Sequence, residues 1–444
     1  MIKDKIYITR DKILKLWFNS NLRPLVLRWN EHVPFQVRRF MRFGLANLFY
    51  GLPAVFLYLC LVVAKLVLRG GKIIFFRVQI RAIGHLSAET EMTLRKIKYA
   101  KDQNIYIGYA SSFTACNRYL LNMFKRHAII VESIILAKIL GATFLKRTEF
   151  VISYDLNDRN YSDFKQLSEQ VICFDSEEEK RGKRLLDEMG IKENDWFVCF
   201  HSRDSAYHGS RYRGGFSHHG HRDCDIENYL PAAEYIAERG GYAIRMGAAI
   251  DKRLPKQRHP RIIDYATEYR SDFMDIYLPA HCKFFLGSTA GLFLIAMIFG
   301  VPTANANFIP IDITPFCAHD LFIPKKLWSL KEKRFLTFPE IFNSEIAHYT
   351  SLEQYNKAGI RVIENSPEET LGLAAEMYSR LSGVEITKEE EEIRNKYISL
   401  YKPHHYCYEG PPNICVDFLR KNLDLLGSTL PAPNEEKYVL KAAN

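Results

Sequence analysis

The chain has 444 residues, 47% of them hydrophobic and 25% charged. This composition excludes a collagen-like, wholly disordered or small disulfide-stapled protein, and at about 100–200 residues per domain the length favours two domains or three. The formal charge of +10 is concentrated at one end: residues 1–42 hold ten Lys/Arg against three Asp/Glu, and the other 51 basic groups nearly balance 48 acidic ones.

A basic segment beside an apolar one favours an anionic lipid surface, at about 1 kcal/mol per Lys/Arg near it. Nucleic acid is not expected as a partner, because no motif for binding it follows. The apolar segment is FGLANLFYGLPAVFLYLCLVVA, residues 43–64, with no charge in it. At about 1.5 Å per residue it is long enough to span a bilayer core. It begins too late for a secretory signal. Pro53 in its middle and basic residues on both flanks leave a monotopic, a spanning and a buried soluble helix as the alternatives. The other long uncharged stretch, 284–311, is broken by Gly, Pro and Asn, and no series of apolar spans follows, so a polytopic membrane protein is excluded.

A nearly continuous apolar run, Ile73 to Ile80, predicts a strand buried on both faces. Gly84-His85 and a helix start at Ser87–Glu91 follow it, the opening of a βα unit. Asn104–Ser111 predicts a second strand, 117–145 a helix, and Gln170–Phe174 a closing strand. Asp175–Met189 is a charge-dense helix placed between two halves. From Trp196 to Asn307 strands alternate with helices, which predicts a parallel α/β sheet. Residues beyond Ser366 read as mostly helical, with a frayed end. The expected organisation is a membrane-associating segment 1–69, a Rossmann-like domain 70–185, a second Rossmann-like domain 190–385, and helices with a tail over 386–444.

Three segments carry chemistry. Gly287-Ser288-Thr289-Ala290-Gly291 joins a strand to an apolar helix; glycine admits a ligand close to the backbone, the hydroxyls donate, and a helix start aims N–H groups at an anion. His201-Ser202-Arg203-Asp204 ends another strand, and Arg203 offers a planar fork for phosphate. His85 is the expected base toward an acceptor, with Glu89 or Glu91 as substitutes. Gly247 and Asp264 end two more strands and are expected to touch a base or ribose. The nine cysteines are odd in number and form no CxxC, as free thiols in a reducing compartment would be. His208, His218, His219 and His221 are dense enough for a metal, but sit in a Gly/Arg/Ser-rich loop. No metal site is expected there.

The segments FVCFHSRDSAYH (197–208), RDCDIENYLPAAEYIAERGGYAIRMG (222–247) and FFLGSTAGLFLIAMIFGVPTANANFIP (284–310), with IGHL at 83–86, resemble a bacterial family of surface-carbohydrate glycosyltransferases with a GT-B fold. The likeness covers about residues 70–320. His201-x-Arg203 is similar, more remotely, to the motif of GDP-fucose-dependent fucosyltransferases, whose Arg holds the donor pyrophosphate; Asp204 stands where that motif usually has a second Arg. The resemblance implies two Rossmann-like domains facing a cleft, with 70–185 as the acceptor domain and 190–385 as the nucleotide-sugar donor domain. It also implies a nucleotide-diphosphate sugar as co-substrate without a further cofactor or metal, and a glycan or lipid-linked acceptor. Two alternatives are a nucleotide-sugar epimerase on a similar scaffold and a non-catalytic, membrane-associated carbohydrate-assembly protein. The expected place is the cytoplasmic face of the bacterial inner membrane.

Overall fold

A computed structural model describes residues 35–427 apart from 69, 142–143, 159, 205–216, 257 and 412, and gives the backbone alone for 35–48, 217 and 218. The basic residues before 35, His208 and the tail beyond 427 lie outside the described residues. The chain divides into two compact units: residues 1–75 with 103–105 and 134–151, and all the rest.

In the first unit a helix runs from Phe35 to Val67, through Pro53. Its stretch Phe49–Val67 is 19 residues, long and apolar enough to cross a membrane. Phe49, Leu52, Phe56 and Leu66 are each more than 70% exposed, so this is not the helix of a soluble core. Tyr58 meets Phe150 edge-on at 5.9 Å. Lys65 and Lys72 both pair with Glu149 at 2.7 Å and hold its carboxyl down to about 2.

The protein is α/β, with two parallel sheets. The first has the order β3-β2-β1-β4, from Ile73–Arg77 (β1), Ile105–Ala110 (β2), Ile129–Glu132 (β3) and Val151–Ile152 (β4). The second contains Phe197–Phe200 (β5), Tyr242–Arg245 (β6), Ile262–Ile263 (β7), Phe285–Gly287 (β8), Thr303–Phe308 (β9) and Leu321–Pro324 (β10). Its order is β10-β9-β8-β5-β6-β7, parallel throughout. Counted from β5, this is the doubly wound order 3-2-1-4-5-6. β5 and β8 are buried at every residue, which is why they read as apolar runs; β9 is equally buried but carries Thr303, Asn305 and Asn307. The order reverses between β5 and β8, where Cys199 pairs with Phe285. The two motifs picked out for phosphate are the loops leaving those two strands.

Several expected elements differ. Residues 117–145 form a helix (Arg118–Lys125), strand β3 and a helix (Ile134–Leu140) rather than one helix. The β-branched run Ile129-Ile130-Val131 pairs in parallel with Ile107–Tyr109, and tertiary pairing overrides the helical spacing. Residues 170–174 form no strand. The Val171 N–H donates to the Glu91 carboxylate at 2.6 Å, and Phe174 stacks on Phe299. A small antiparallel sheet of Lys326–Ser329 (β11), Arg334–Phe335 (β12) and Ile360–Ile363 (β13) carries no forecast from the sequence. Helices Pro367–Leu381, Lys388–Ile398 and Val416–Lys421 make the expected helical end.

The second compact unit holds strands of both halves. Arg95 helps to explain this. It is buried, pairs with Glu91 at 2.8 Å, and donates to the Leu167 and Ile298 carbonyls at 3.0 and 2.6 Å. The helix Ser176–Glu188, forecast between the halves, is also docked. Asp175 and Glu178 close a capping box at its start, and Gly182 lies against the buried Tyr277.

A Cβ on Gly182 would stand 2.0 Å from the Tyr277 ring, which is fixed by stacking on His281 at 4.0 Å. Gly182→Ala should therefore cost stability despite alanine's better helix propensity, by about 1–3 kcal/mol as for other overpacked sites. Denaturant unfolding measures it; a variant as stable as the parent would show that the ring moves freely.

Candidate functional site

A cavity of about 570 Å³ opens within the second unit. Loops after β1 (Arg77–His85) and before residue 158 (Leu156, Asn157) line it from one sheet. Those after β5 (His201, Arg203, Asp204), β6 (Gly247–Ala249) and β8 (Thr289–Leu294) line it from the other. Ligands in open α/β sheets sit beyond the carboxyl ends of strands at the switch point, and this cavity occupies that place. Its wall carries Arg77, Arg81, Arg203, Arg222 and Arg270 against Asp204 and Asp275. An excess of guanidinium groups in a concave site concentrates field lines and favours an anion.

The two sheets' loops meet at glycines. A Cβ on Gly84 would lie 2.7 Å from the Gly291 Cα, and one on Gly291 would lie 2.7 Å from the Gly84 nitrogen. No other residue allows two backbones this close. The contact sets His85 beside the 289–291 loop.

His85 opens a wide helical turn, His85–Glu89, that leads into the helix Thr90–Ala100. Such π-type turns place side chains off the ordinary helical spacing and recur at functional sites. Here His85 Nδ1 lies 2.7 Å from Glu89 Oε1. The other carboxylate oxygen of Glu89 accepts from Gln79 Nε2 at 2.8 Å. Glu89 is buried, whereas the His85 side chain is 41% exposed in the cavity wall. Hydrogen bonding to Glu89 raises the His85 pKa above the ordinary imidazole value and outweighs desolvation. With Nδ1–H held by Glu89, Nε2 is the atom left to take a proton. The two residues are thus partners, not substitutes. Glu91 is excluded from the role: it is fully buried and committed to Arg95 and the Val171 N–H.

Arg203 is buried at the cavity wall. Its backbone N–H donates to Ser288 Oγ at 3.1 Å, so the β5 and β8 loops are tied together. Its Nη1 donates to the His219 carbonyl at 3.2 Å, and Nε stands 3.7 Å from an Asp223 oxygen. Desolvation lowers its pKa, with Asp223 opposing. His201 Nδ1 donates to the Met246 carbonyl at 3.0 Å; desolvation, then the nearby Arg245 and Arg203, hold the ring down to about 4, hence neutral. Asp204 accepts from the Asp251 N–H at 3.1 Å, and Gly247 lines the wall.

The Gly287–Ala290 loop differs from the expectation in what its side chains do. The Ser288 hydroxyl is taken by Arg203, and Gly287 offers its carbonyl to Tyr229. The Thr289 hydroxyl donates to the Asn307 carbonyl at 3.1 Å and accepts the Ile309 N–H at 3.0 Å. Both hydroxyls therefore brace the loop instead of facing a ligand. The helix behind begins only at Phe293 and has six residues, too short for a strong dipole at its start. Arg222 clamps the Thr289 carbonyl through Nε and Nη2 at 3.1 and 2.7 Å. What this loop presents to the cavity is backbone at Thr289, Ala290 and Gly291.

Asp264 does not reach the cavity. It is buried, pairs with the buried Arg245 at 3.1 Å and accepts the Leu254 N–H at 3.2 Å. It shapes the loop after β6 from behind. Of the histidine-rich loop, His219 and Arg222 come to the wall, and His221 is buried behind it. The sequence reading did not single out Arg77, Arg81, Arg222, Arg270 or Asp275. Arg77 and Arg81 had the one available signal, a pair of charges closing an otherwise apolar strand. Asp275 is buried beside Tyr265 and Arg270, at 2.9 and 2.7 Å, and desolvation pushes it up to about 6.

No family model and no curated protein matches the chain. Among solved structures it is similar to a glycosyl transferase of family 9 from Veillonella parvula, at 12% identity and a TM-score of 0.39, over 56% of this chain and 85% of that one. It is similar also to the ADP-heptose LPS heptosyltransferase II of E. coli, at 13% identity and a TM-score of 0.40, over 56% of this chain and 90% of that one. A third is the iron-containing dodecameric glycosyltransferase TibC of enterotoxigenic E. coli, at 8% identity and a TM-score of 0.30, over 54% of this chain and 60% of that one. None of these three is a fucosyltransferase.

Removing the Glu89 charge tests the His85–Glu89 pairing. A histidine whose folded pKa is raised adds stability below its unfolded value of about 6.5, and that stability is lost as pH rises through the folded pKa. Glu89→Gln should bring the His85 titration, followed by NMR, back down to or below the ordinary imidazole range. It should also flatten the pH dependence of stability there. An unchanged His85 titration would show that Glu89 does not hold the ring.

Proposed function

We propose that the protein is a metal-independent GT-B glycosyltransferase that moves a sugar from a nucleotide-diphosphate donor to an acceptor hydroxyl. The observation that carries this is the cavity at the β5/β8 switch point, where arginines and a backbone loop face a histidine–glutamate pair. In this reading the donor diphosphate lies against Arg203, with Thr289–Gly291 beside it. Gly247 and the neutral His201 flank the nucleoside. The acceptor enters past Arg77 and Arg81. His85 Nε2 takes the proton of its hydroxyl, and Glu89 stabilises the imidazolium that forms. The acceptor oxygen attacks the anomeric carbon as the diphosphate leaves, a single displacement that inverts the configuration. Charge grows on the departing diphosphate, so Arg203 binds the transition state more tightly than the ground state.

The diphosphate needs no further cofactor in this scheme. The solved structures include a heptosyltransferase in complex with ADP-D-beta-D-heptose. A nucleotide sugar is the class of donor proposed here, with a glycan or lipid-linked acceptor of bacterial surface polysaccharide. The proposed place is the cytoplasmic face of the inner membrane, held there by the helix Phe35–Val67 and the basic residues before it.

Nucleotide-sugar hydrolysis or transfer is the assay. A charge-assisted hydrogen bond is worth about 1.5–3 kcal/mol, so Arg203→Ala should weaken donor binding and turnover by roughly 10- to 100-fold each. Arg203→Lys should recover only part, since an ammonium cannot grip two oxygens as a planar fork. Equal donor binding by Arg203→Ala and the parent would remove the diphosphate from this place.

The membrane reading has its own check. Phe56 and Leu59 are exposed, so Phe56→Lys with Leu59→Lys leaves the packing intact while adding two charges to the apolar surface. At the centre of a membrane helix each costs about 2.5–3.5 kcal/mol. The double variant should move from the membrane to the soluble fraction; a variant that still sediments with membranes places the anchor elsewhere.

A further inference from the structure

Far along the chain from the cavity loops, three histidines converge. His348 ends the helical turn Glu345–His348, and His404 and His405 lie in the turn that follows the helix Lys388–Ile398. One ring nitrogen of each lies within 4.8 Å of the other two. None of the three lines the cavity.

The surroundings orient two of the rings in the way metal-binding histidines are oriented. Such a ligand gives its second ring nitrogen to a carboxylate or a backbone carbonyl, which fixes the tautomer and sharpens the free lone pair. His348 Nδ1 sits 2.5 Å from Asp312 Oδ2, leaving Nε2 as its lone-pair atom. His405 Nε2 sits 2.9 Å from the Phe342 carbonyl, leaving Nδ1 as its lone-pair atom. Asp312 is fully buried, and its other oxygen has no hydrogen-bond partner among the described residues. A buried carboxylate in that state calls for positive charge nearby.

We propose that His348, His404 and His405 bind a divalent transition ion of the zinc class, with Asp312 behind His348 as the supporting carboxylate. Three neutral imidazoles suit zinc, copper or nickel better than calcium or magnesium. The fourth position falls to water, because His404 is exposed. Zinc–nitrogen bonds of about 2.0–2.1 Å require the nitrogens to close in from their present spacing. The exposed 402–404 turn supplies that movement. The Lys402 N–H, now donated to His405 Nδ1 at 3.0 Å, is released to water. The ion would pin the 402–408 turn to the turn before Tyr349. Tyr349 in turn accepts from Tyr355, whose ring lies 5.5 Å from His221. Through that chain the site supports the segment that carries Arg222.

Full-length, tag-free protein stripped with EDTA is titrated with zinc sulfate by calorimetry, and a cobalt(II) titration is followed by visible absorption. The expected result is one ion per chain, cobalt bands of low coordination number, and a raised thermal midpoint. His404→Ala, at an exposed position that does not endanger folding, should weaken zinc at least 10-fold. Asp312→Asn should weaken it 10- to 100-fold, as loss of a supporting partner does. No ion bound below millimolar zinc overturns the proposal. So does binding that survives His404→Ala and disappears in His219→Ala with His221→Ala, which would assign the ion to the other histidine-rich loop.

Discussion

The approach of Gly84 to Gly291, backbone against backbone, is the constraint on which the site depends. It brings the loop after β1 against the loop after β8, so that a strand end from each sheet faces the same cavity. A side chain at either position would wedge the loops apart and carry His85 away from Thr289–Gly291. Around that contact the polar groups act mainly as braces. Ser288 ties β8 to β5 through Arg203, Thr289 ties the loop to the end of β9, and Arg222 clamps it from outside. The result is a loop whose own hydroxyls are spent internally and whose backbone is what a ligand meets.

Burial sorts the arginines. Arg245 is almost fully enclosed and faces Asp264 at 3.1 Å, a pair that neutralises itself and shapes the scaffold. Arg203 is nearly as buried, but its carboxylate neighbour stands at 3.7 Å and its guanidinium borders the cavity. A desolvated guanidinium with so loose a partner gains most from an arriving anion. The same contrast separates Glu89 from Glu91, two residues apart. Glu91 is locked to Arg95 inside the fold, while Glu89 spends one oxygen on Gln79 and the other on an exposed histidine.

Neither the N-terminal helix nor the C-terminal helices line the cavity. The long N-terminal helix leaves large apolar side chains in the open, a surface that only lipid or another apolar partner can cover without cost. At the other end, helices with capping boxes at Ser366 and Thr387 lead to the histidine turn. That turn rests on Phe342 and Asp312.

Composition, charge distribution and periodicity were enough for the α/β class, the apolar N-terminal helix and β5 to β9 of the second sheet, because most buried parallel strands leave apolar runs that local sequence displays; β10 carried no forecast. The same reading located the loops after β1, β5 and β8. It could not assign roles within them. Asp264 looks like a ligand-facing loop residue and is a buried partner of Arg245; Ser288 and Thr289 look like phosphate donors and are braces. The helix expected across 117–145 became two helices and a strand, since β3 forms only where β2 lies alongside. The sequence by itself determined which segments are strands ending in glycine, arginine or histidine. Only the tertiary structure decided which of those ends meet, because strand order and the close approach of two glycines are long-range packing outcomes that no local pattern encodes.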